Sequence, residues 1–301
     1  MDDAIRKAEA LIEACSYIRR FRDRLTVIKL GGSAMEEPAA LKATLQDVVF
    51  METAGMRPIL VHGGGKAIDR AMAAAGLQPR KVQGRRYTDT PTLRLVVRTL
   101  LEENNADLVR QIRALGGRAV GLHSGPLQSL FGERLTLPGP EGRPIDLGHV
   151  GRITRVEGAL IEDLCAGAVI PVIPSLAVHD AAGDGEGSDW LNVNADTAAA
   201  AIAAEVKAEK LVFLTDTPGI LLDRDDPESR APSLDPAGCH DLIRRGVIDS
   251  GMIPKVEACL DSLRAGVRKV HMIDGRVRHS LLLEIYTDRG VGTEITLAGR
   301  Q

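Results

Sequence analysis

An alternation along the chain constrains its fold most. Short apolar runs that read as strands are separated by amphipathic stretches that read as helices. Two early runs end in glycine-rich loops: Thr26-Val27-Ile28-Lys29-Leu30-Gly31-Gly32-Ser33 and Pro58-Ile59-Leu60-Val61-His62-Gly63-Gly64-Gly65. Strands joined through helices form a mainly parallel sheet with both faces covered. Ligands of such open sheets lie beyond the carboxyl ends of the strands, so both glycine loops fall on the ligand edge. Lys29 is the awkward residue, because burial disfavours an ammonium group. It becomes reasonable at a strand's carboxyl end facing an anion, with the glycines bringing backbone N–H groups close. The stretch predicts a phosphate-handling site.

The other elements follow from the same periodicities. An amphipathic helix over 4–22, with Ile5, Ala8, Ile12, Cys15 and Ile18 near one face, precedes the first strand. It packs on its own domain or docks on another subunit. Strand 25–30 leads to a helix over 39–54, strand 58–62 and a helix over 66–75. A long helix is predicted over 91–115, stopping at Gly116-Gly117, then strand 118–122. The Gly- and Pro-rich stretch 123–157 reads as β-hairpins decorating the main sheet. Helix 158–166 and strand 168–173 resume the alternation, and 179–189 is an acidic glycine-rich loop. Helix 195–205, strand 210–215, a loop over 216–234, helices 236–245 and 254–265, strand 268–273, helix 279–285 and a short strand over 291–296 complete the chain. The 301 residues suffice for one large α/β domain or two smaller ones, and the first helix is an appendage to the core.

Composition narrows the function. The net charge is -3 and only 3% of residues are aromatic, which argues against a nucleic-acid binder. No apolar run approaches a membrane span, and the N-terminus lacks a signal-peptide pattern, so a cytoplasmic protein is expected. Cys15, Cys165, Cys239 and Cys259 lie far apart, outside any metal-ligand spacing, and read as small buried hydrophobes. No resident metal is expected.

Three further stretches carry candidate chemistry. In Leu191-Asn192-Val193-Asn194-Ala195-Asp196, Asn194 is a helix N-cap and Asp196 falls in the first turn. Asn192 is not explained by capping, and Asp196 could also orient a lysine. In Gly251-Met252-Ile253-Pro254-Lys255, Pro254 opens a helix and Lys255 opposes its dipole, which calls for an anionic neighbour unless the lysine is merely solvated. Leu211-Val212-Phe213-Leu214-Thr215-Asp216 is a buried strand ending in a carboxylate, which caps a turn or binds a sugar hydroxyl or amine. Arg85 and Arg86 lie in a glycine-flanked loop, where an arginine can clamp a carboxylate. Neither glycine loop fits the GxGxxG or P-loop spacing. Glycine N–H groups, lysines and an arginine facing a few carboxylates suit phosphoryl transfer rather than covalent catalysis.

In that order, these motifs resemble the amino acid kinase family over nearly the whole chain. Asp146-Leu147-Gly148-His149-Val150-Gly151 and His271-Met272-Ile273-Asp274-Gly275-Arg276 extend the likeness. Within the family, the chain is most similar to the arginine-inhibited members that act on N-acetyl-L-glutamate. The resemblance implies an open, mainly parallel α/β sheet sandwiched between helices, with an N-terminal helical arm (1–24) and one continuous domain (25–301) made of an acetylglutamate-binding lobe (25–190) and a nucleotide-binding lobe (191–301). It implies transfer of the ATP γ-phosphoryl group to the side-chain carboxylate of N-acetyl-L-glutamate, a step of arginine biosynthesis. Mg²⁺ would travel with the nucleotide. By the same resemblance, Lys29 and Lys255 would neutralise the transferred group from opposite sides, and Asp196 would orient both. Gly31, Gly32 and Gly64 would donate backbone hydrogen bonds to it. Gly63, Gly64, Gly65, Arg86 and Asn192 would bind the amino acid, with Asp216 and Met252 near the nucleotide.

The arginine-inhibited members form hexamers, trimers of dimers, through an N-terminal helix similar to this one, although Cys15-Ser16 stands where a Leu-Pro pair is common. Tyr17, His271, Glu284 and Gly290 would lie near an arginine site. The chain departs from the family at Gly121-Leu122-His123-Ser124-Gly125-Pro126, where a Lys-Asp pair is absent. The readings that compete with this one are a kinase of a related substrate such as acetylaminoadipate, and a non-catalytic sensor of arginine or acetylglutamate.

Overall fold

The computed structural model describes residues 1–297 apart from 84, 140–142, 181–189, 224, 227, 250 and 288–289. The acidic loop expected at 179–189 lies outside the described residues from 181 onward. The chain runs through α1 (Asp2–Phe21), β1 (Leu25–Leu30), α2 (Ser33–Glu36), α3 (Pro38–Thr53), β2 (Arg57–His62) and α4 (Gly65–Ala74). The pair β3 (Lys81–Val82) and β4 (Arg85–Arg86) precedes α5 (Thr90–Arg98), a π-helical segment (Thr99–Asn105) and α6 (Ala106–Ala114). Then come β5 (Ala119–Gly121), β6 (Leu130–Pro138), β7 (Pro144–Val156), α7 (Gly158–Ala166), β8 (Ile170–Pro174), β9 (Leu176–His179) and β10 (Trp190–Asn192). The last third holds α8 (Ala195–Glu205), β11 (Lys210–Thr215), β12 (Ser233–Leu234), α9 (Pro236–Arg244), α10 (Ile253–Arg264), β13 (Lys269–Asp274), α11 (Ser280–Ile285) and β14 (Thr293–Ile295).

Eight strands form the central sheet in the order β12-β14-β13-β11-β1-β2-β8-β5. From β13 to β5 every pairing is parallel; β14 runs antiparallel to β13. β1 lies between β2 and β11, where the earlier and later halves of the chain meet. Its carboxyl end is therefore a topological switch point, the place where open α/β sheets bind ligands.

Side chains alternate across a strand, and β1 shows what that does to Lys29. Val27 packs with Ile202 of α8 and Val256 of α10 on one face. Ile28 and Leu30 pack with Leu45 of α3 and Leu281 of α11 on the other. Lys29 shares the Val27 face, the one covered by α8 and α10.

Two regions differ from the sequence expectation in detail. The helix expected over 91–115 contains the π-helical segment, which widens the turn and re-aims the side chains beyond it. Asn105 ends that segment 1% exposed, where a polar side chain must find partners. The hairpin β6–β7 closes with β9 and β10 into a small four-stranded barrel instead of standing alone. Of the cysteines, Cys165, Cys239 and Cys259 are buried as expected, whereas Cys15 is exposed on α1. Among the described residues, no helix is long and apolar enough to cross a membrane.

Candidate active site

Two lysines far apart in sequence meet one carboxylate. Lys29 Nζ lies 2.9 Å from Asp196 Oδ1, and Lys255 Nζ lies 2.7 Å from Asp196 Oδ2. β1 delivers Lys29 at its carboxyl end, α8 delivers Asp196 in its first turn, and α10 delivers Lys255 in its first turn. Asn194 caps α8 by accepting from the N–H groups of Asp196 and Thr197, at 2.9 and 3.1 Å. Capping and site assembly thus coexist in one short stretch. Lys255 donates a hydrogen bond to Asp196; the Lys29 contact is an ion pair that leaves Oδ1 without an aligned donor.

Burial would raise the pKa of Asp196, but the charges of Lys29 and Lys255 outweigh it and hold the carboxyl down at about 2. Asp196 is therefore a fixed anion, unsuited to act as a general base near neutral pH. Its two oxygens each face one ammonium group, Oδ1 that of Lys29 and Oδ2 that of Lys255. Among the described residues, no group of three His, Cys, Asp or Glu side chains is placed to hold a metal ion.

The two glycine loops wall a cleft of about 310 Å³ that also exposes Lys29, Asp196 and Lys255. Gly31, Gly32, Gly63, Gly64 and Gly65 all line it, as do Arg86 and Asn192. Gly32 adopts a left-handed conformation, φ 60°, with nothing near a β-carbon position, so backbone conformation is what selects glycine there. Gly64 is glycine for a different reason: a β-carbon would press on Leu100 and Asn104 of the π-helical segment at 2.7 and 2.8 Å. Arg86 faces the cleft with its guanidinium held by Asp69 at 2.6 Å, and Asn192 donates to Thr88 Oγ1 at 3.1 Å.

A second cleft, about 380 Å³ and more apolar, lies on the other side of Lys255. Asp216 and Met252 line it, together with Ile220, Val247 and Ile248. Lys255 belongs to both clefts and stands where they meet. The geometry suits a reaction between two ligands, one per cleft, with the shared charged group at the lysines.

Tyr17, His271, Glu284 and Gly290 are brought together elsewhere, around a cavity of about 300 Å³ between α1 and the β13–α11 region. His271 Nδ1 is 2.7 Å from Glu284 Oε1, and the backbone N–H groups of Val291 and Gly292 donate to Glu284 Oε2 at 2.7 and 2.9 Å. Burial opposes the charge on Glu284, yet His271 and these N–H groups keep its carboxyl below the usual range. Lys210 reaches the same cavity, 3.2 Å from His271 Nε2 and over the ring of Phe21. Burial, then the nearby charge of Lys269, brings its pKa down to about 8.

Sequence reasoning passed over a group behind the second glycine loop: His62 and Asn104, whose side chains reach the Gly63 carbonyl, and Asn105, whose side chain meets the His62 ring. The only signal was His62 itself, a polar residue inside a buried strand next to three glycines.

The profile of the amino acid kinase family matches residues 24–274. The acetylglutamate kinase of Pelotomaculum thermopropionicum is 45% identical over 294 residues, 96% of this chain and 97% of that protein. The acetylglutamate kinase of Akkermansia muciniphila is 43% identical over 97% of this chain and 96% of its own length. Among solved structures, an N-acetylglutamate synthase from Neisseria gonorrhoeae, complexed with coenzyme A and N-acetyl-glutamate, superposes with a TM-score of 0.82 at 25% identity. That match covers 96% of this chain and 63% of the longer synthase. A carbamate kinase from Giardia lamblia bound to AMP-PNP shares the fold at 15% identity, TM-score 0.66, over 91% of this chain and 99% of its own.

Proposed function

The chain belongs to the amino acid kinase family, and from that premise we propose that it transfers the γ-phosphoryl group of ATP to the side-chain carboxylate of N-acetyl-L-glutamate, the second step of arginine biosynthesis. The observation that carries this reading is the placement of Lys29, Asp196 and Lys255 where two clefts join. Acetylglutamate occupies the glycine-walled cleft on the 25–190 side, and ATP with its Mg²⁺ occupies the cleft of Asp216 and Met252 on the 191–301 side. The bound N-acetyl-glutamate of the Neisseria gonorrhoeae synthase supports the choice of amino acid.

The chemistry needs little from the protein beyond position and charge. A carboxylate oxygen of the substrate forms a bond to the γ-phosphorus while the bond from that phosphorus to the β–γ bridging oxygen breaks. ADP leaves with the electron pair. The nucleophile is already an anion, so no proton has to be removed. Lys29 from the amino-acid side and Lys255 from the nucleotide side neutralise the oxygens of the transferred group. Gly31, Gly32 and Gly64 offer N–H groups to it, and Asp196 keeps the two ammonium groups from repelling one another out of place. Arg86 and Asn192 hold the amino acid.

Arginine, the end product, is the inhibitor we assign to the cavity of Tyr17, His271, Glu284 and Gly290. α1 serves as the arm through which dimers assemble into a hexamer in the cytoplasm. The apolar side chains of Ile5, Leu11 and Ile12 are exposed on α1, as a docking arm requires. The test of the activity is ATP-dependent hydroxamate formation with hydroxylamine, run with acetylglutamate and with acetylaminoadipate. A higher kcat/KM for acetylglutamate is expected. Preference for the longer acid reassigns the substrate, and no product from either leaves a sensor that binds without turnover.

A further inference from the structure

A buried polar chain stands behind the second glycine loop, and the transfer chemistry above makes no use of it. Asn105 ends the π-helical segment. Its Nδ2 lies 3.0 Å from the carbonyl oxygen of Val172 and 3.0 Å from His62 Nε2. A carbonyl can only accept, so the Val172 contact fixes which end of the amide is nitrogen. An amide nitrogen can only donate, so His62 Nε2 must accept. The imidazole is then neutral with its proton on Nδ1, and Nδ1 donates to the carbonyl of Gly63 at 3.1 Å. Asn104 Nδ2 donates to the same carbonyl at 3.4 Å. Complete burial keeps His62 neutral, with its pKa brought down to about 4. The seat of the Asn105 amide also requires Gly121, since a β-carbon there would collide with Asn105 Oδ1.

This arrangement has a consequence for the cleft. In a trans peptide the C=O and the next N–H point to opposite sides, and the chain has no cis peptide bond among the described residues. The Gly63 carbonyl is drawn inward by two donors, so the Gly64 N–H is turned outward. Gly63 and Gly64 both border the cleft that holds Lys29 and Lys255, which makes outward the direction of the cleft. The π-helical segment supplies Leu100 and Asn104 as the floor against which Gly64 rests. Its wider turn is what lets consecutive residues, Asn104 and Asn105, reach the Gly63 carbonyl and the His62 ring.

We infer that His62, locked in one tautomer by Asn105 and aided by Asn104, is a positioning residue for phosphoryl transfer: it fixes the Gly63–Gly64 peptide so that the Gly64 N–H faces the transferred group. The inference rests on the reading that Gly64 donates to that group, and it adds the residues that aim the donor.

The experiment compares the full-length wild-type protein with H62L, H62N and N104A. Kinetics are measured by hydroxamate formation, affinity for Mg²⁺ and AMP-PNP by calorimetry, and folding by thermal unfolding. An Asn side chain can present an N–H where His Nδ1 stood; Leu cannot. H62L is expected to lose roughly 10- to 100-fold in kcat, less than or equal to the loss of one oxyanion donor, with the KM for acetylglutamate little changed. H62N should recover most of that loss, and N104A should lose a few-fold. A role confined to packing predicts instead that H62L and H62N are equally impaired, in step with their unfolding temperatures.

Wild-type kcat in H62L, or no recovery in H62N at equal unfolding temperature, overturns the inference. Should H62L fail to fold, H62Q replaces it. Gln presents its amide nearer the Nε2 position, so H62Q must be poor where H62N is good. If the wild-type protein makes no hydroxamate from acetylglutamate, the substrate assignment fails and AMP-PNP affinity decides alone. Weakening in H62L by about 10-fold or more, restored in H62N, upholds the positioning role, and equal affinities overturn it.

Discussion

A β-carbon at Gly31 would stand 2.6 Å from the ammonium nitrogen of Lys29, two residues before it. The lysine curls back over the glycine to reach Asp196. Gly31→Ala therefore displaces that ammonium group, which is flexible enough to move but then loses its ion pair. A shift of this size at a charge-neutralising group costs roughly 10- to 100-fold in kcat. Steady-state kinetics should find the loss in kcat, with the KM for acetylglutamate little changed. Lys29→Ala should show the same pattern more strongly, by roughly 100-fold or more. A raised KM with unaltered kcat in both variants would overturn the role assigned to Lys29.

Much of this site was legible because its two lysines broke local rules. Lys29 lay in an apolar strand and Lys255 opposed a helix dipole, whereas Asp196 obeyed one, as a carboxylate in the first turn of a helix capped by Asn194. Both lysines asked for an opposite charge, and the structure pairs them with Asp196. The parallel core was legible from the alternation of strands and helices. The π-helical segment was not, because one extra residue in a turn leaves the apolar spacing of 91–115 close to that of an ordinary helix. The direction of β14 was equally hidden: a three-residue strand after a short helix carries no periodicity that distinguishes parallel from antiparallel. His62 and Asn105 find each other across 43 residues, and nothing local in the sequence marks such a pair.

The pairing of Asp196 makes stability depend on acid. Its folded-state pKa of about 2 lies below the ordinary carboxylate value of 3.8. The contribution is therefore complete above about pH 4 and is lost as pH falls toward 2. The shift corresponds to roughly 2 kcal/mol. Unfolding by urea at several pH values should show the wild-type protein losing about this much more than Asp196→Asn between pH 4 and pH 2. The amide variant cannot titrate there, so a parallel decline in both proteins would place the acid sensitivity elsewhere.

Gly65 separates contact with a ligand from folding. It begins α4, and a β-carbon built on it meets nothing within 4 Å. Gly65→Ala should leave the unfolding temperature unchanged or slightly raised, since alanine loses less backbone entropy in a helix. If acetylglutamate packs against this residue, the added methyl group meets the substrate alone. The KM for acetylglutamate should then rise by about 10-fold with ATP kinetics unaffected. Wild-type kinetics in this variant would remove Gly65 from the substrate's contacts while leaving Gly63 and Gly64 in place.

The helix α1 and the cavity assigned to arginine share a wall. Tyr17, Arg20 and Phe21, all on α1, line the cavity that holds His271 and Glu284. The ring of Tyr17 meets that of Tyr286 edge-on at 6.5 Å, just past the end of α11. Removing residues 1–24 therefore opens one side of the cavity and deletes the helix assigned to assembly. Sedimentation should show the truncated protein falling from hexamers to dimers, and arginine should no longer inhibit it. Among the described residues, none before Lys29 lines the cleft assigned to the reaction, so activity without arginine should persist. A milder variant, Tyr17→Ala, separates the two effects. It should raise the arginine concentration needed for half-inhibition while leaving the hexamer intact, because it trims the cavity wall without deleting the arm. A truncated protein that keeps both its assembly and its full arginine response would detach α1 from regulation altogether.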